Sequence, residues 1–215
     1  MIPARFVVEF PRRCLDLIDV MEPEARRLSL LGSFSLMIAP SLFLVPFERM
    51  KNSHPLGEAD REPEIVTALK RIDRQDFLGA EFWQGNVPTD WRLSRVISDV
   101  ESSYHWQDRD GVHPMAENAQ NEISKAGVGK VIRVIRNALA HGNVIYLDEK
   151  GLESKGALVQ HLAFLSRYEE GEEQRKHSET YRLLTVTEEG FLCFLRCWAG
   201  WLQQFHMDSK IQEAA

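Results

Sequence analysis

The sequence predicts a mainly helical protein, a helical bundle with a small antiparallel β insertion between a basic helix and the last helix. Three observations carry this. Up to His141, apolar residues recur at three- and four-residue intervals, the period of helices that bury one face. Beyond His141 the period changes: 144–147, 158–168 and 181–186 are rich in β-branched, aromatic and aliphatic residues and are separated by turn or charged segments. Thr187, Glu188 and Glu189 then open a final helix with an N-cap residue and acids at the positive end of its dipole. A chain of 215 residues is expected to form one domain over 1–215. Its helical part spans about 10–142 and 187–206, and its β insertion about 143–186.

The elements follow in order. Phe10, Cys14, Leu17, Ile18 and Met21 have helical spacing, and Pro11 stands where a first turn tolerates it, which predicts a helix over 10–20. Glu22-Pro23-Glu24 is expected to restart a helix that ends or kinks near Pro40 and Pro46. Residues 28–47 carry no charge and approach the length of a membrane span. Gly32, Ser33, Ser35, Ser41, both prolines and charged flanks on both sides favour a core helix and no membrane partner; the span is the competing reading. Polar residues 52–60 read as a loop, and 63–74 as a helix with Ile65, Val66, Leu69 and Ile72 on one stripe. Gly, Asn and Pro make 78–90 a loop; 91–104 and 115–125 read as further helices. The acidic run 169–173 reads as a solvated hairpin tip. The last helix carries Phe191, Phe194, Leu195, Trp198, Leu202 and Phe205 on one face, and Cys193, Cys197 and Trp201 on another. That surface is wide enough for two packing partners. Cys193 and Cys197 have no third thiol or nearby His to complete a metal site and read as core.

Composition excludes several classes. Hydrophobic residues at 44% and charged residues at 27% exclude wholesale disorder and rod-like repeats. With 26 Lys and Arg against 32 Asp and Glu, the net charge of -6 argues against a general cationic coat for nucleic acid. Three cysteines cannot frame a disulfide scaffold. They fit a reduced, cytoplasmic protein, and residues 1–13 lack the pattern of a signal peptide.

One segment departs from this balance. Residues 125–141 contain four Lys or Arg and no acid. Over 128–141, Val128, Val131, Ile132, Ile135 and Leu139 form a core stripe. Lys130, Arg133, Asn137 and His141 lie on the opposite face, with Arg136 on its flank. Gly142 is placed to close the helix in the left-handed conformation, leaving His141 on the last turn. A phosphate-loop reading of Gly127-Val128-Gly129-Lys130 fails, because position 123 is not Gly and Val131 stands where Ser or Thr is needed.

The run Arg136-Asn137-Ala138-Leu139-Ala140-His141-Gly142-Asn143 resembles the motif of the HEPN superfamily (higher eukaryotes and prokaryotes nucleotide-binding domain): an Arg, four to six residues, then a His, with a polar residue after the Arg. Arg49 and His54 repeat the spacing, but Met50 and Pro55 lack the context, and that instance reads as coincidence. The resemblance implies a helical bundle, a homodimer with two Arg-His motifs at a shared cleft, and a metal-independent RNase, a toxin or defence effector with a cognate antitoxin. RNA would be the partner, and no cofactor or metal is implied. Arg136 would clamp phosphate, His141 would act in acid-base chemistry, and Asn137 would orient them. Lys130 and Arg133 would add positive potential for substrate. Arg136 is offset from Asn137 and His141, an offset that a second subunit would relieve. Val134, apolar on the polar side, is expected at that interface. Several toxin families carry Tyr two residues after the His, where this chain has Asn143, so control through that Tyr is not expected. Two readings compete. One is a catalytically inactive HEPN module that binds a nucleotide or protein, as an antitoxin or regulatory partner does. The other makes Arg136 a salt-bridge residue and His141 a helix cap. The remaining histidines read as surface or core.

Overall fold

The computed structural model describes residues 6–50, 62–86, 88–97, 100–156, 158–167 and 180–213. In chain order the regular elements are α1 (Phe6–Arg27), α2 (Leu31–Ala39), α3 (Val45–Arg49), α4 (Pro63–Ile72), β1 (Arg92–Val96), α5 (Val128–His141), β2 (Val144–Leu147), β3 (His161–Arg167), β4 (Tyr181–Thr187) and α6 (Glu188–Glu213). The fold is mainly helical with one small antiparallel sheet. The chain groups into two compact units: Met1–Gln75 with Gly79–Val87 and Phe191–Ala215, and Asp76–Leu78 with Pro88–Gly190.

The first unit is helical. α1 runs unbroken from Phe6 through both Pro11 and Pro23, so it begins earlier than its spacing suggests and needs no restart at Pro23. Its buried residues Val7, Val8, Pro11, Cys14, Ile18 and Ala25 supply the packing that outweighs the two missing N–H groups. Leu17 and Met21, expected on the apolar stripe, are exposed. The helical path also passes Pro40: residues Pro40–Leu44 widen into a π turn, with the Val45 N–H donating to the Pro40 carbonyl, and α3 continues from there. The π turn accommodates the missing donor without ending the helix. Leu31–Arg49 is long and apolar enough to cross a membrane by length and composition, and half of its apolar window is buried in the protein. Phe43 packs edge-on against Phe194 (5.5 Å) and Trp198 (5.2 Å) of α6, and Phe82 meets the same pair at 5.8 and 5.6 Å. Both faces of α6 are used: Phe191, Phe194, Leu195, Trp198, Trp201 and Leu202 are all buried.

The second unit is a four-stranded antiparallel sheet of order β1-β4-β3-β2, with α5 packed on β3 and β4. Three strands come from the insertion after the basic helix, as its richness in β-branched, aromatic and aliphatic residues predicts. The fourth does not: within 91–104, expected as a helix, Arg92–Val96 forms β1, paired from Arg92↔Thr185 to Val96↔Tyr181, and Ser103–His105 makes a 3-10 turn. The segment 115–125, also expected as a helix, is irregular apart from a 3-10 turn at Ile123–Lys125. Its backbone is committed elsewhere. Glu122 N–H donates to the Leu93 carbonyl (2.7 Å), and Asn121 Oδ1 accepts the Leu93 N–H (3.0 Å), so the segment satisfies the free edge of β1. One sheet face carries Val96, Leu147, Ala163, Leu165 and Leu183 around Trp106. By alternation, Leu162, Phe164 and Ser166 lie on the other face, where α5 sits. At the start of α6, Thr187 Oγ1 accepts the Gly190 N–H at 3.0 Å, the expected cap. The loop 52–60 and the tip 169–173 lie outside the described residues.

Candidate functional site

The basic helix α5 forms as its sequence dictates: Val128, Val131, Ile132, Ile135 and Ala138 are buried, while Leu139 is half-buried. It stops at Gly142, which takes φ +71°, and the Gly142 and Asn143 N–H groups both donate to the Ala138 carbonyl. Asn143 in turn accepts the Leu165 N–H at 3.0 Å, tying the helix end to β3. His141 is left exposed on the last turn and, among the described residues, has no hydrogen-bond partner.

Two polar ties hold α5 across the end of the sheet. Lys130 Nζ pairs with Glu122 at 3.2 Å, and Glu122 also takes Arg95 of β1 at 3.0 Å. Seven residues on, Asn137 Nδ2 donates to Ser166 Oγ of β3 at 3.2 Å. Arg95, Arg182 and Ser166 are register partners across β1, β4 and β3. Seven helical residues rise about 10 Å, close to two interstrand steps of about 4.8 Å. The helix therefore crosses this polar row from one side to the other.

Arg136 and Asn137 are joined. The guanidinium donates twice to Asn137 Oδ1, from Nε at 3.1 Å and from Nη2 at 2.7 Å. The offset visible on the helix is thus closed by the side chain of Arg136 within one chain. His141 makes no hydrogen bond to either residue. Arg133 is exposed, as expected, but Lys130 is not a free cation: Glu122, three residues before the basic segment, neutralises it. The interface role expected for Val134 is overturned, because its exposure is 0%. A helix laid across a sheet buries a wider arc than the stripe alone indicates.

Ser166, Glu122 and Arg95 were missing from the sequence reading of this site. Ser166 carried a signal, a polar residue at an inward position of an apolar strand; the pairing of Glu122 with Lys130 and Arg95 carried none. Arg49 lies over the Phe6 ring at 4.9 Å, a packing role, and His54 falls outside the described residues. His113 is held by the Ser103 carbonyl (3.0 Å) and the Met115 N–H (3.3 Å), which makes it structural. The Cys193 and Cys197 sulfurs lie 4.0 Å apart; that contact and burial push the Cys197 thiol well above the ordinary thiol range. Among the described residues, no three His, Cys, Asp or Glu side chains converge as a metal site.

No curated protein and no solved structure matches the chain. A family model described as HEPN pEK499 p136 matches residues 2–209, through both compact units. The chain belongs to this HEPN family.

Proposed function

We propose that this HEPN protein is a metal-independent endoribonuclease, a toxin or defence effector of the cytoplasm, acting as a homodimer in which two copies of α5 face one cleft. RNA supplies its own nucleophile, the 2′-hydroxyl. His141 of one copy takes the 2′-hydroxyl proton as the 2′-oxygen attacks phosphorus. The P–O5′ bond breaks, and the leaving 5′-oxygen takes a proton from His141 of the second copy in its protonated form. The products are a 2′,3′-cyclic phosphate and a 5′-hydroxyl. Arg136 holds the phosphate and stabilises charge growing on its non-bridging oxygens, Asn137 orients that guanidinium, and Arg133 adds positive potential, while Lys130 is engaged by Glu122.

The observation that supports this reading best is the two-point hold of Asn137 on Arg136, on the same helix as an exposed imidazole whose nitrogens are unengaged among the described residues. The test is expression of wild type and of His141→Ala, with growth and total RNA integrity followed together. Growth arrest with RNA breakdown is expected for wild type alone, and cleavage in vitro should survive a chelator. Cutting of an all-deoxy substrate would exclude the mechanism.

A second reading, a silent HEPN module that binds a nucleotide or an antitoxin-type partner, draws on one feature. Among the described residues no group orients the His141 ring, which acid-base residues ordinarily have. It predicts no growth defect and identical behaviour of wild type and His141→Ala.

A further inference from the structure

We infer that Ser166 is a positioning residue for Arg136: its hydroxyl accepts from Asn137 Nδ2 and anchors the amide whose oxygen end holds the guanidinium. The catalytic consequence rests on the phosphate-clamp role proposed for Arg136; the positioning itself does not.

An Asn amide has a donor end and an acceptor end of nearly the same shape, and its environment selects between them. A guanidinium has donors alone, so only the oxygen end can hold Arg136. Asn137 Oδ1 takes both Arg136 donors, at 3.1 and 2.7 Å, which requires Nδ2 to find an acceptor on its far side. Ser166 Oγ is that acceptor, at 3.2 Å. Ser166 is 5% exposed and sits in β3 beyond Leu162 and Phe164, both at 0% on the same face. A hydroxyl at this position of an apolar row is explained by the amide it receives. The strand thus reaches the site indirectly, through Ser166, Asn137 and Arg136 in series. Without the hydroxyl, the half-buried amide loses its anchor to β3 and is free to turn away from the guanidinium.

Three variants and two readouts test this. If wild type cleaves RNA, Ser166→Ala is expected to lower kcat about tenfold, the upper size of one hydrogen bond between neutral groups, with KM little changed. Ser166→Thr, which keeps the hydroxyl, should restore the rate. In an Asn137→Ala background, removing the Ser166 hydroxyl should cost nothing further. If the alanine variant fails to fold, Ser166→Cys, of similar size and a weak acceptor, takes its place with the same expectations. A wild-type rate in Ser166→Ala, or an equal loss in Ser166→Thr, would overturn the inference. If wild type does not cleave, the proposed function fails and the positioning is judged by NMR of the Arg136 Nε–H. A slowly exchanging signal in wild type and Ser166→Thr, lost in Ser166→Ala and Asn137→Ala, supports it; one unchanged in all four overturns it.

Discussion

At the scale of single residues, the proposed function separates a group that would act, His141, from groups that would hold, Asn137 and Ser166. His141 is exposed and has no hydrogen-bond partner among the described residues, so its removal should be invisible to stability: His141→Ala is expected to unfold within about 0.5 kcal/mol of wild type in urea. Its cleavage rate should nevertheless fall by about a hundredfold or more, the usual worth of an acid-base group. A large loss of stability in this variant would make His141 a helix cap. Arg136 differs, since two of its donors are already spent on Asn137. An ammonium cannot hold one oxygen with a planar fork and keep further donors aimed at a phosphate. Arg136→Lys should therefore cleave nearly as poorly as Arg136→Ala, although the charge is retained; a lysine variant of near wild-type rate would reduce Arg136 to a simple source of positive charge.

At the scale of elements, two contacts show how helices are stopped and joined. Gly142 takes φ +71° with open space where a Cβ would stand, so an alanine meets backbone strain and no clash. Gly142→Ala should cost about 1 kcal/mol, seen as a lower urea midpoint with unchanged slope. No loss would mean that the helix end relaxes to another stop. Within the helical unit, Arg196 of α6 reaches Asp19 and Glu22 of α1. Burial tends to raise the Glu22 carboxyl, but the hydrogen bonds and charges of Arg196 and Arg26 outweigh it and hold it below the usual carboxylate range. A depressed value in the folded state stabilises the fold above the ordinary carboxylate pKa of about 4.3, and this is lost as pH falls through the depressed value. Glu22→Gln should thus unfold earlier than wild type near neutrality, and the gap should close on acidification below about pH 4. A gap that survives at pH 2 would assign the effect to packing.

At the scale of the whole molecule, the RNA binding proposed here would have to act against a net charge of -6. With Lys130 paired to Glu122, the phosphate contacts proposed for the basic segment are those of Lys125, Arg133 and Arg136. Three phosphate contacts give a log–log salt slope of about -2 for a single strand, and two helices at a shared cleft about -4. Binding of a short RNA to His141→Ala at several salt concentrations measures it. A slope near zero would remove RNA as the ligand, and one beyond about -6 would place most contacts outside α5.

Much of the protein follows from local pattern. The period of Val128 to Ala138, the stop at Gly142, the cap at Thr187 and the three strands after the basic helix are decided by residues within a few positions of one another, and they stand where the sequence puts them. The octapeptide from Arg136 likewise carried the family. What only the tertiary structure decided is non-local. Residues 91–104 have apolar spacing that suits a helix or a strand, and pairing with β4 nearly ninety residues later selects the strand. Proline failed to stop α1 or α2–α3 because packing outweighed a missing donor. The site divides in the same way: Arg136, Asn137 and His141 belong to one helix turn and can be read from it. Glu122 on Lys130 and Ser166 behind Asn137 come from separate segments, and a sequence cannot rank such partners until the chain has folded.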